Sequence, residues 1–181
     1  MNWRSHPEVG VFVEAARCYC RLFEPLPADR TPWMKQVLEA LAKLYAAAHG
    51  LPDFTLPEDA VALPASFKLT HEDWKALATT IQGLLGERQS YWFYFDPTLA
   101  EAPNEEPDAG MLWDDLADIY RDIKPGLHAW DANRDDYLPA TVFEWKWPGF
   151  YHHWGLHAVD AMRALHWWIE KDGPEPDWLI Y

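Results

Sequence analysis

Apolar residues recur at helical spacing from the first turns of the chain. Val9, Phe12, Val13, Ala16, Tyr19, Cys20 and Phe23 share one face. The S-H-P-E string from Ser5 offers a capping box to Glu8, with Pro7 in the first turn, and Pro25 and Pro27 end the segment. A second helix opens with Thr31 as cap and Pro32 at the first position. Trp33, Val37, Leu38, Leu41, Leu44, Tyr45 and Ala48 form its stripe, and Gly50 offers a left-handed stop before Leu51-Pro52. Residues 51–65, with prolines at 52, 57 and 64, read as irregular cover that lays Phe54, Leu56, Val61 and Leu63 on the bundle. Thr70 and Asp73 then box the start of a third helix carrying Trp74, Leu77, Ala78, Ile81, Leu84 and Leu85, which Gly86 weakens.

The pattern becomes less regular afterwards. Tyr91 to Phe95 are five consecutive aromatics without a visible pairing partner, so they read as a helix end or extended core filler. An acidic connection over 96–110 leads to a helix from Met111 to Lys124 that Pro125-Gly126 breaks or kinks, with a short continuation through Trp130. A polar turn spans Asp131 to Asp136, and Pro139 to Trp147 read as helix up to Pro148-Gly149. The last helix, from Tyr151 to Trp168, is apolar nearly all round, which belongs in the middle of a bundle. The tail from Asp172 ends in Trp178, Leu179, Ile180 and Tyr181, which are expected to fold back onto the body. The sum is an all-α, single-domain Trp-rich bundle of about six helices over residues 1–181, with a largely buried C-terminal helix.

Composition sharpens this. Twelve tryptophans in 181 residues give the core more apolar area than its length suggests. A formal charge of −14 argues against nucleic acid and anionic membrane, since both need a positive field. Between Arg88 and Arg121 there is no cation, while Asp96, Glu101, Glu105, Glu106, Asp108, Asp114, Asp115 and Asp118 lie there. That stretch is a solvated acidic face or a docking surface for a basic protein partner. Cys18 and Cys20, two apart on a helix, point to different sides and read as buried free thiols of a reducing compartment. With no apolar leader and no run of ~18 apolar residues, the expected location is cytoplasmic.

Two groups of side chains could carry chemistry. His153, His157 and Asp160 fall at i, i+4, i+7 on one helix face. Their plain reading is core histidines satisfied by neighbours. Two histidines four apart can also chelate one metal ion, although H-W-G-L-H lacks the Glu of H-E-x-x-H. His153 and Asp160 lie about 10.5 Å apart along such a helix, so one ion cannot join all three. Asp160 could instead orient His157, and metal-free acid–base work is a further reading. The second group is Asp115, Asp118 and Asp122, close together on their helix beside the apolar stripe. Like charges at 114/118 and 118/122 call for a cation: Arg121, Arg163 or a divalent ion. D-D-x-x-D also resembles the aspartate-rich motif of isoprenoid synthases, which are much larger and carry a second acidic motif not present here. Asp131, Asn133 and Asp135 have the opening spacing of a calcium loop, but Asp136 and Val142 stand where its Gly and bidentate Glu belong, so a polar turn is expected. Nucleotide, flavin, phosphate-loop and nucleophile-elbow motifs do not occur in the sequence.

L-W-D-D-L-A-D-I-Y-R-D-I-K-P-G-L at 112–127 and W-P-G-F-Y-H-H-W-G-L-H-A-V-D-A-M-R-A-L-H at 147–166 together resemble a bacterial family of small all-helical proteins of unknown function. The Cys-Tyr-Cys helix and the L-x-x-L-Y segment before Leu51-Pro52 are similar to its N-terminal half. The resemblance implies a helical bundle of bacterial, cytoplasmic origin and no particular activity. It suggests one site in which Asp115, Asp118 and Asp122 face His153, His157 and Asp160. Two functions follow. One is a non-enzymatic interaction protein with an acidic docking face. The other is a divalent-metal-dependent hydrolase with Asp118, Asp122 and His157 as ligands and His153 as base or additional ligand.

Overall fold

The structure is a computed structural model and describes residues 2–93 and 107–173. Its helices are α1 (Pro7–Arg21), α2 (Arg30–His49), α3 (His71–Leu85), α4 (Leu112–Asp131), α5 (Leu138–Glu144) and α6 (Trp154–Lys171), with a π-helical segment, Trp145–Phe150, between the last two. Among the described residues the only strands are β1 (Ser90–Phe93) and β2 (Asp108–Met111). They pair antiparallel in the register Ser90↔Met111, Tyr91↔Gly110, Trp92↔Ala109 and Phe93↔Asp108. No helix of the described residues is long and apolar enough to cross a membrane.

One hydrophobic cluster runs through the bundle. α4 is its hub, packing on α1, α3, α5 and α6, with twelve of its twenty residues buried. The large buried rings keep their polar atoms satisfied, as burial demands. Trp33 Nε1 donates to the Leu22 carbonyl at 2.9 Å, Trp154 Nε1 to that of Trp145 at 3.0 Å, and the Tyr19 hydroxyl to that of Leu116 at 2.8 Å.

α6 is buried along one face rather than all round. Trp154, Gly155, Ala158, Ala161, Ala164 and Leu165 are buried, whereas Leu156, Val159 and Trp167 are exposed. Small residues on the covered side, not the bulky ones, decide how closely this helix sits on its neighbours.

Several boundaries differ from the sequence pattern. α1 starts at Pro7 after His6, because Ser5 turns its hydroxyl back to the Asn2 carbonyl and caps nothing. α2 starts at Arg30, and Gly50 ends it in a right-handed conformation (φ −78°) rather than a left-handed one. The capping box of Thr70 and Asp73 is present. The run from Tyr91 is strand, not helix end or filler: its partner, Asp-Ala-Gly-Met, lacks the alternation that would have announced it, and Trp92 is 70% exposed. Tyr94, Phe95, the acidic residues 96 to 106 and the tail from 174 lie outside the described residues.

α4 does not break at Pro125. The proline deprives the Arg121 carbonyl of its intrahelical donor, but Ile123, Pro125, Gly126, Leu127 and Ala129 are buried, and that packing carries the helix on to Asp131. Pro148 is likewise absorbed, within the π-helical segment, so α5 ends earlier than the pattern suggests and α6 begins only at Trp154. The thiols are both free, but Cys18 is exposed and only Cys20 is buried. In the turn after α4 the carboxylates face arginines, with Asp131 on Arg17, Asp135 on Arg4 and Asp136 on Arg134.

Candidate metal centre

α4 begins immediately after β2, so Asp114 and Asp115 fall in its first turn, where the helix dipole favours acids. Asp118 and Asp122 follow one and two turns on, facing the start of α6. His153 is the N-cap of α6, with φ −144° and ψ −92°, and His157 lies in the helix proper. Although His153 is off the helix, the rings remain neighbours, with centroids 4.9 Å apart.

Each imidazole is held by its own carboxylate. His153 Nδ1 lies 2.6 Å from Asp122 Oδ2, and His157 Nδ1 lies 2.7 Å from Asp115 Oδ1. An ionised carboxylate only accepts, so each Nδ1 carries the proton, and in the neutral ring Nε2 holds the lone pair. Both Nε2 atoms turn to the same place: they lie 3.9 Å (His153) and 4.0 Å (His157) from Asp118 Oδ2. Ligand atoms of Asp118, His153 and His157 lie within 4.8 Å of one another. A tetrahedral ion with ~2.0–2.1 Å bonds sets its ligands roughly 3.4 Å apart. A shift of about half an ångström to one ångström in the half-exposed rings closes the gap.

The supporting contacts are as specific. Trp74 Nε1 donates to Asp118 Oδ1 at 2.8 Å, and Arg121 Nη2 meets Asp118 Oδ2 at 2.9 Å. One lone pair of that oxygen therefore serves the guanidinium and leaves the other toward the imidazoles. The Tyr91 hydroxyl donates to Asp115 Oδ2 at 2.6 Å. Gly110 permits this: a Cβ there would fall 2.4 Å from the Tyr91 ring, which lies across the glycine to reach α4.

The local charge is lopsided. Asp114, Asp115, Asp118, Asp122 and Asp160 stand against two guanidiniums, Arg121 and Arg163. Burial, followed by the neighbouring carboxylates, raises the pKa of Asp114, and burial with Asp115 does the same for Asp160. The hydrogen bond to Asp115 raises that of His157, against the opposing pull of burial. Asp115 and Asp118 are buried rather than solvated, at 5% and 8% exposure. The positive charges in reach of this group are Arg121, Arg163 and, when protonated, His157, whose protonation these carboxylates favour.

Asp115, Asp118, Asp122, His153 and His157 are thus brought together. Asp122, expected as a ligand, is instead the carboxylate that orients His153, and His153 takes its place in the converging set. Asp160 does not orient His157. It lies 4.0 Å from Arg163, and Arg163 also donates to the Trp92 carbonyl, so it serves β1 rather than the aspartate helix. Tyr91 and Trp74 escaped the sequence reading; nothing in an aromatic run marks one hydroxyl as a carboxylate's partner. A cavity of about 460 Å³ adjoins the centre, with Arg121, Asp122 and His153 in its wall.

The family model described as a domain of unknown function, DUF5063, matches residues 5–170. The chain belongs to that family. Protein BF1032 from Bacteroides fragilis, known from a crystal structure, has a similar fold, with a TM-score of 0.69 and 24% identity over 91% of this chain and 96% of that one. No curated protein matches the chain in sequence.

Proposed function

We propose that this protein is a divalent-metal-dependent hydrolase whose ion is held by Asp118, His153 and His157. The observation that carries the reading is the common direction of the two Nε2 atoms, with each Nδ1 tied to its own carboxylate. Metal-binding histidines have that arrangement, because the second-shell acid fixes the tautomer and strengthens the ligand. Three protein ligands leave a position for water, the pattern of catalytic rather than structural sites. An ion there would supply Lewis acidity and a water of lowered pKa, the chemistry that hydrolysis beside His153 would use. The buried, mutually repelling carboxylates support the same reading, since a cation offsets them.

Docking of a basic protein would account for the acidic stretch but gives the paired imidazoles no task. Metal titration of the purified chain, with elemental analysis, tests the proposal. One zinc, manganese or ferrous ion per chain is expected, with affinity reduced at least tenfold in His153→Ala and His157→Ala variants that keep their helical circular dichroism. No saturable uptake of any of these ions by the wild type would overturn it.

A further inference from the structure

The cavity beside His153 is bounded by three pieces of chain. Lys68 and Leu69 come from the segment ahead of α3, Arg121 from α4, and Thr141, Glu144 and Trp145 from α5 and the π-helical segment. Its volume of about 460 Å³ lies within the range of small-molecule sites. Apolar side chains line part of it, and beside Arg121, Asp122 and His153, which already have partners, it holds polar groups that do not. Thr141 is 1% exposed, yet its hydroxyl has no hydrogen-bond partner among the described residues. Burying a hydroxyl that way is unfavourable unless something else satisfies it. Lys68 and Glu144, exposed residues that reach the lining from different segments, have opposite charges, and neither forms an ion pair among the described residues. Arg121 reinforces the positive side, its guanidinium already positioned by Asp118.

We infer that this cavity takes a dipolar small molecule of the amino-acid or dipeptide class, with its carboxylate toward Lys68 and Arg121 and its ammonium toward Glu144. A purely anionic ligand would meet Glu144 and Asp122, and a purely cationic one would meet Lys68 and Arg121. A zwitterion satisfies both charges, lays its side chain on Leu69 and Trp145, and, where it is a dipeptide, offers the Thr141 hydroxyl a peptide group. The binding claim stands on the cavity alone. The reaction claim rests on the metal reading: water adds across the peptide bond, the hydroxyl going to the carbonyl carbon and the proton to the departing amine.

Calorimetric titration of the full chain with glycyl-leucine tests this, alongside N-acetylglycyl-leucine, which lacks the ammonium, and glycyl-leucinamide, which lacks the carboxylate. Each blocked end should weaken binding by about three- to fivefold, the scale of an exposed ion pair. Lys68→Met should abolish the discrimination against the amide, and Glu144→Gln that against the acetylated form. Thr141→Val should weaken all three ligands. His157→Ala, outside the cavity wall, should lose metal but keep glycyl-leucine. No saturable binding of glycyl-leucine, with or without added zinc, would overturn the inference, as would discrimination that survives in both charge variants. Binding without metal uptake would remove the hydrolase reading and leave the dipolar site standing; metal uptake without glycyl-leucine binding would do the reverse.

Discussion

The contact of α1 with α2 and that of α4 with α6 are built to opposite rules. The first joins Phe12, Val13, Ala16 and Tyr19 to Trp33, Val37, Leu41 and Leu44, and the polar atoms of Tyr19 and Trp33 end on backbone carbonyls. Such a seam is stabilised by apolar area, at about 25 cal/mol per Å² removed from water. The second brings buried aspartates and two imidazoles together, beside a helix whose covered face is mostly alanine and glycine. Little apolar area is gained per residue there, and like charges are crowded. The difference teaches that one seam is held by apolar area, whereas the other adds buried carboxylates whose charge Arg121, Trp74, Tyr91 and the two imidazoles must offset.

Trp33→Ala should give the largest effect, a loss of about 3–5 kcal/mol in urea unfolding, with metal affinity of the folded protein unchanged. Equal damage to both properties would show that the two contacts are not separate. Asp115→Asn should act the other way round, lowering metal affinity about 10–100-fold, as loss of a second-shell carboxylate does, with little change in the unfolding midpoint of the metal-free chain. Gly110→Val, which drives a side chain into the Tyr91 ring, should destabilise by about 1–3 kcal/mol and weaken metal binding less than Asp115→Asn does.

A smaller, pH-dependent effect is expected away from both contacts. Asp172 caps α6 and accepts from Arg88 Nε at 3.0 Å, with Arg30 Nη2 3.9 Å away. The Arg88 bond holds its carboxyl below the usual range. A depressed folded pKa means that the contribution is full above the unfolded value of about 3.9 and is lost as pH falls through the folded one. Asp172→Asn should therefore be less stable than wild type at pH 6, with the gap closing in chemical unfolding as pH falls below the ordinary aspartate range. Val11→Thr, on an exposed position, should stay within about 0.5 kcal/mol.

The sequence was most informative where one helix face faces the core. The stripes of α1 and α2 read directly from spacing because nothing but burial chooses those residues. The aspartate group and the histidine group were each legible, since polar residues beside an apolar stripe stand out, but that they face one another, with Asp160 included, came from the family resemblance and not from spacing. Which acid serves which imidazole was not legible, because it depends on how α6 is rotated against α4. Strand β2 was illegible for a related reason: Gly110 is there to admit the Tyr91 ring, not to favour extended backbone. Pro125 and Pro148 misled because the penalty of a proline is local, whereas the burial that outweighs it comes from residues distant in sequence.

The π-helical segment from Trp145 to Phe150 has an implication for how such a site arises. A stretch of this kind closes its hydrogen bonds one residue further along than an α-helix does, so it takes up a surplus residue. Removing one residue there would swing everything downstream by about 100° around the axis, turning His153 away from Asp122 in a single event. Whether His153 meets Asp122 therefore depends on how many residues this segment holds and not only on which they are.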